Sequence, residues 1–211
     1  MTSNPLAFMD DGVLPGVCAL DCDYTLWGRD CDKNVLPPFQ RWARDFIVDR
    51  YGRDASAHPD VADIVGALYD RGVKIAFISR NPSANYIEQL LRVCPMNSKN
   101  PEKECLWDSL ESRSYFHAYS SDKNGKGKDK HFAALRETTG TSFTSILFFD
   151  DFQENVDAAN AQGSTAVLVN RARGLDWRTL EYGIQEWRRR NIVSKEPVQT
   201  AEVLSEVKCH T

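Results

Sequence analysis

Three short apolar runs, each ending abruptly on polar groups, constrain this chain more than any other feature. Residues 17–20 (VCAL), with Val13 and Leu14 just ahead, run into Asp21; residues 73–78 (VKIAFI) run into Ser79-Arg80; residues 145–149 (SILFF) run into Asp150-Asp151. Apolar runs this short, bounded by turn-forming residues, read as strands buried on both faces. Between them the apolar spacing becomes helical. Over residues 60–70, Val61, Ile64, Val65 and Leu68 share one face, with Pro59 ahead and Arg71-Gly72 behind. Ala84, Ile87, Leu90 and Leu91 repeat the pattern, and further helices are expected over 130–137, 153–161 (stopped by Gly163) and 175–190, with lesser strands over 115–120 and 165–169. Strands alternating with helices predict a three-layer α/β/α sandwich around a central parallel sheet. Ligands of such sheets bind beyond the carboxyl ends of the strands. Those ends here carry Asp21, Ser79 and Asp150-Asp151.

The remaining segments are read more coarsely. Residues 28–34 are rich in turn formers and precede Pro37-Pro38, after which residues 39–51 (FQRWARDFIVDRY) space their apolar side chains as a helix would. Residues 95–103 are polar with two prolines and read as a surface loop, part of a small insertion over about 95–111. Residues 1–193 are expected to form one domain, and 194–211 a disordered tail.

Bulk properties exclude several classes. A hydrophobic content of 42% with 27% charged residues permits a sizeable core. A net charge of −4 argues against a general nucleic-acid binder. The six cysteines form no CxxC pair and no zinc-type spacing, the N-terminus lacks the marks of a secretion signal, and no apolar run approaches membrane-spanning length. The expectation is a soluble, monomeric protein of the cytoplasm, with the nucleus also open to it, carrying free thiols and neither membrane nor nucleic-acid partners.

The strand ends suggest chemistry. Asp21 and Asp23, one residue apart just after a strand, can face one pocket if the chain leaves extended geometry there; one carboxylate could attack or hold a metal while the other moves a proton. A solvated acidic turn is the bland alternative. Asp150-Asp151 would repel each other unless a cation or hydrogen bonds compensate, and a helix N-cap would explain only one of them. Ser79-Arg80 offers a hydroxyl, a backbone N–H and a guanidinium suited to a phosphate, or simply a capped turn with a surface arginine. The lysines of residues 121–128 (SDKNGKGK) lie just ahead of a helix start, where a phosphate also meets backbone N–H groups. His58, His117 and His131 are scattered, with His131 read as a helix residue near the site and not a metal ligand. Cys22 lacks a partner base, and Leu147–Phe149 reads as core.

In that order and at those edges, the elements resemble the four motifs of the haloacid dehalogenase (HAD) superfamily: DxDxT (Asp21 to Thr25), Ser79, a lysine, and the acid pair Asp150-Asp151. DCDYTLW, ISR, KxxHF (residues 128–132) and FFDD look like the magnesium-dependent phosphatase-1 family in particular, over residues 17–187. The departures are a longer 39–58 segment, the insertion, the tail, and ISRN where that family commonly shows SRT. The resemblance implies a HAD-like, Rossmannoid fold without a large cap domain and a Mg2+-dependent phosphatase acting on phosphomonoesters through an aspartyl phosphate. The substrate would be phosphotyrosine in proteins, or a small sugar or other metabolite phosphate.

Residue by residue, the resemblance implies that Asp21 attacks phosphorus and holds magnesium. Asp23 would bind the metal through its carbonyl oxygen while its side chain protonates the leaving group and then activates water. Thr25 would orient the Asp23 loop, and Ser79 and Arg80 would hold the phosphate. Lys128 matches the family lysine by its distance from His131-Phe132, with Lys130 the other candidate. Asp151 would be a further metal ligand, supported by Asp150. The rival readings are a phosphotransferase on the same fold, a non-catalytic HAD-like binding module, and a DxD glycosyltransferase.

Overall fold

Each of the three apolar runs becomes a strand. The computed structural model describes residues 6–120 and 128–192. The chain runs α1 (Ala7–Asp10), β1 (Val17–Leu20), β2 (Gln40–Ala43), β3 (Phe46–Val48), α2 (Val61–Tyr69), β4 (Lys74–Ser79), α3 (Ala84–Val93), β5 (Phe116–Ala118), α4 (Asp129–Thr139), β6 (Ile146–Asp150), α5 (Gln153–Ala161), β7 (Thr165–Leu168) and α6 (Trp177–Asn191). In the described residues the main sheet has the order β5-β4-β1-β6-β7, with every pairing parallel. From β1 the chain builds outward through β4 and β5, then returns to lay β6 and β7 on the other side. This reversal opens a crevice at the C-terminal end of β1. Register aligns Leu20 with Phe77 and with Phe149. Asp21 therefore emerges level with Asp150 and one residue short of Ser79.

Alternation along the strands sorts the core into two layers. Cys18, Leu20, Ile75, Phe77, Leu147 and Phe149 pack with side chains of α2, α3 and α6; Val17, Ala19, Ala76, Ile78, Ile146 and Phe148 pack with side chains of α4 and α5. Both faces are covered, which is why the strands read as continuous apolar runs. Close approach is built in by glycine. A Cβ on Gly183 of α6 would lie 2.6 Å from the Phe149 ring, and one on Gly66 of α2 would lie 2.0 Å from the carbonyl oxygen of Asn97. The last helix starts on Asp176, whose side chain accepts from the Thr179 N–H at 2.8 Å.

The segment expected to be a helix over 39–51 is instead the antiparallel hairpin β2–β3, with Gln40 opposite Val48 and Arg41 opposite Ile47. Two forces override the helical spacing. Ile47 and Val48 are β-branched and bury themselves, while Trp42 and Phe46 on the same supposed helical face stay largely exposed. Asp49 then gathers the following turn, accepting from the N–H groups of Leu36, Tyr51 and Arg53 and from the Arg53 guanidinium. The reading of 95–103 as a surface loop is half right. Residues 99–102 are largely exposed, but Pro95 and Met96 are buried, Asn97 N–H bonds the carbonyl of Ala62, and Pro95 forms a bridge with the buried Cys105. The tail expected to be disordered lies outside the described residues. Among the described residues all cysteines are free and buried, and no helix is long and apolar enough to cross a membrane.

Candidate active site

At the end of β1 the backbone must turn sharply for Asp21 and Asp23 to share a pocket. It does so through Tyr24, whose φ of 63° is rare for a side chain of this size. The turn is held by Tyr24 N–H to Trp27 O at 2.7 Å and Leu26 N–H to Cys22 O at 2.8 Å, and by the Tyr24 hydroxyl donating to Asn34 at 3.0 Å. The carboxylates of Asp21 and Asp23 both line the resulting cleft of ≈ 440 Å³, with Tyr24, Ser79, Arg80, Asn81, Asp151 and Arg171 on its walls.

Lys128 lies buried against Asp21. It stands at the start of α4, its side chain is 1% exposed, and its ammonium contacts Asp21 Oδ1, Asp150 Oδ2 at 2.7 Å and the Ile78 carbonyl at 2.6 Å. Lys130, the other candidate, stands at an exposed position on α4. Asp150 is fully buried and both its oxygens are engaged: Oδ1 accepts from the Phe152 N–H at 2.8 Å, and the Asn155 amide reaches both oxygens at 2.9 Å. Burial keeps the Asp21 carboxyl well above the usual carboxylate range, Lys128 pulls it back down, and Asp150 and Asp151 push it up again.

Asp23 is fixed by three donors: Trp27 Nε1 at 2.8 Å and Cys31 N–H at 3.0 Å on Oδ1, and the Asn81 amide at 2.8 Å on Oδ2. Burial nevertheless outweighs these bonds and pushes its pKa up to about 6. A carboxyl so placed can give and take protons near neutrality. Thr25 differs from the expectation. Its buried hydroxyl donates to Asp21 Oδ2 at 3.3 Å, so it braces Asp21, while its carbonyl accepts from Leu175 N–H. The Ser79 hydroxyl accepts from Asn81 N–H at 3.1 Å, and Arg80 lies over the Phe152 ring at 4.9 Å. The Cys22 thiol is pushed up by burial and by the flanking aspartates, a setting that disfavours the thiolate. His131 is buried, donates from Nε2 to Tyr119 O at 2.9 Å and has its pKa lowered to about 4 by burial.

Asp21, Asp150 and Asp151 each place an oxygen within 4.8 Å of the others. Burial, aided by Asp150, raises the Asp151 pKa, while Arg171 at 2.8 Å opposes the rise. Hard carboxylate oxygens crowded around an open cleft suit a hard divalent cation that keeps several waters, as magnesium does. The Asp23 carboxylate is not part of this trio. Sequence reasoning missed Asn81, Asn155, Trp27 and Arg171. Arg171 had a signal, because it follows β7 and strand ends are where the site assembles; the amides and the indole act only through contacts that spacing does not reveal.

The family model described as Acid Phosphatase matches residues 13–190. The chain belongs to that family. This acid phosphatase family member is 28% identical to human magnesium-dependent phosphatase 1 over 82% of the chain and 86% of that relative. It is also 27% identical to a HAD-like hydrolase superfamily protein of Schizosaccharomyces pombe, over 67% of the chain and 78% of the relative. Among solved structures, its fold is similar to the N-terminal part of a Bacteroides fragilis protein containing a phosphatase domain, solved with Mg (TM-score 0.52, 19% identity, 84% of this chain and 41% of that one). A HAD-superfamily hydrolase from Ehrlichia chaffeensis matches at TM-score 0.53 and 11% identity, covering 84% of this chain and 99% of that one. The α/β/α sandwich with a central parallel sheet is thus the HAD fold, and the protein is a HAD-like phosphatase.

Proposed function

We propose that this phosphatase is magnesium-dependent and hydrolyses phosphomonoesters through a phosphorylated Asp21. The observation that supports it most is the convergence on one cleft of Asp21 braced by Lys128 and Thr25, Asp151 beside it, and Asp23 with a pKa of about 6. Asp21, Asp151 and the Asp23 carbonyl would hold the ion. Bound there, magnesium would neutralise charge on Asp21 and on the substrate phosphate.

The residues divide the reaction into two displacements. A carboxylate oxygen of Asp21 attacks phosphorus, the bond from phosphorus to the ester oxygen breaks, and the Asp23 carboxyl delivers its proton to that oxygen. Asp23, now ionised, takes a proton from water as the water oxygen attacks the phosphorus of the aspartyl phosphate. The bond to Asp21 breaks, phosphate leaves, and both carboxyls return to their starting states. Lys128 offsets the repulsion between Asp21 and the incoming phosphate, and Ser79 and Arg80 hold its oxygens. An acid at Asp23 favours transfer to water over transfer to a second acceptor. The open cleft admits either phosphotyrosine or a small metabolite phosphate.

Turnover of 4-nitrophenyl phosphate tests this reading. EDTA silences the activity, magnesium restores it, and Asp21→Asn abolishes it while the far-ultraviolet circular dichroism stays native. Hydrolysis that survives chelation, or substantial turnover by Asp21→Asn, refutes the assignment.

A further inference from the structure

Neither displacement uses Arg171. It lies just beyond β7, so a fourth strand end reaches the site. Its Nε sits 2.8 Å from Asp151 Oδ2, its guanidinium lies 3.9 Å from the centroid of the Tyr24 ring, and its side chain remains 56% exposed on the wall of the cleft. The platform beneath it is itself fixed, because Tyr24 is locked in its turn and its hydroxyl is tied to Asn34. One edge of the guanidinium is therefore occupied and one face is supported. Its terminal nitrogens make no hydrogen bond among the described residues, in a planar fork suited to carboxylate or phosphate.

The rest of the mouth has a matching polarity. Arg80 stands on Phe152, next in sequence to Asp151, and lines the same cleft as Arg171. The acidic residues Asp30 and Asp32 also line the cleft, and Lys33 pairs with Asp30 at 2.9 Å. Asn34 accepts from both Tyr24 and the Asp30 N–H, which places the Tyr24 ring between Arg171 and the acidic loop. An arginine required only to balance Asp151 would not need an aromatic platform or an exposed fork over the cleft.

We propose that Arg171 forms a subsite for a second anionic group on the substrate, so that the preferred esters are small phosphomonoesters also bearing a carboxylate or another phosphate. A cleft of ≈ 440 Å³ is of the size that takes small molecules. The inference rests on the phosphatase reading and deepens it.

The test compares phenyl phosphate with an aryl phosphate carrying a pendant carboxymethyl group, chosen so that the two leaving groups have matched acidity. Wild-type protein with magnesium should favour the carboxylated ester in kcat/KM by about tenfold or more, as a charge-assisted contact implies, mostly through KM. Arg171→Gln lowers turnover of both esters through Asp151 and collapses the ratio to near one; Arg171→Lys restores part of it. No preference in the wild type overturns the inference, and so does an Arg171→Gln variant that slows both esters by the same factor. Failure to cleave either ester sinks the phosphatase reading itself.

Discussion

Replacing Lys128 by methionine removes the one buried cation in the described part of the site while nearly preserving side-chain volume. The ammonium contacts Asp21, Asp150 and the Ile78 carbonyl and is 1% exposed, so no water can take its place readily. Stranding a buried charge by removing its partner costs about 3–5 kcal/mol. With a urea slope of roughly 2.5 kcal/mol per molar for a chain of this size, the unfolding midpoint should fall by about 1.5 M. The deficit should depend on pH. The Asp21 carboxyl is already raised by burial, with Lys128 holding it down; without Lys128 it rises further. A raised folded pKa gives stability that is present at low pH and lost as pH climbs through it. Lys128→Met should therefore be most destabilised near pH 8 and recover toward pH 5, and adding Asp150→Asn should recover part of the loss at pH 8. Urea titrations in EDTA at the two pH values measure this. A variant as stable as wild type at pH 8, or a deficit that is the same at both pH values, would show that the ammonium does not neutralise these acids.

Two other outcomes are expected. With Asp23 at about 6, the proton needed by the leaving group is lost as pH rises past 6. kcat/KM for an alkyl phosphate should then fall relative to that for 4-nitrophenyl phosphate, whose leaving group needs little protonation, and parallel profiles for the two esters would deny Asp23 the acid role. Gly66→Ala should destabilise by about 1–3 kcal/mol as overpacking does, because the new methyl would meet the Asn97 carbonyl at 2.0 Å; an unchanged thermal midpoint would mean that the segment after α3 is not seated on α2.

The amino-acid sequence by itself determined the sheet and the identity of the groups on its rim. Apolar runs that must be buried on both faces can only be central strands, and the residue following each run has nowhere to go but the carboxyl edge. Asp21, Ser79 and Asp150-Asp151 follow from that logic. Tertiary structure decided everything that depends on which edges meet. Residues 39–51 carry a helical spacing, yet burial of Ile47 and Val48 and the hydrogen bonds gathered by Asp49 make a hairpin of them. Tertiary packing also buries Lys128, and not Lys130, between two carboxylates. Asn81 gripping Asp23 and Arg171 crossing from β7 to Tyr24 and Asp151 are contacts between distant stretches of chain. Periodicity reports how a segment meets its own core, and it is silent about which foreign side chain will complete a charge.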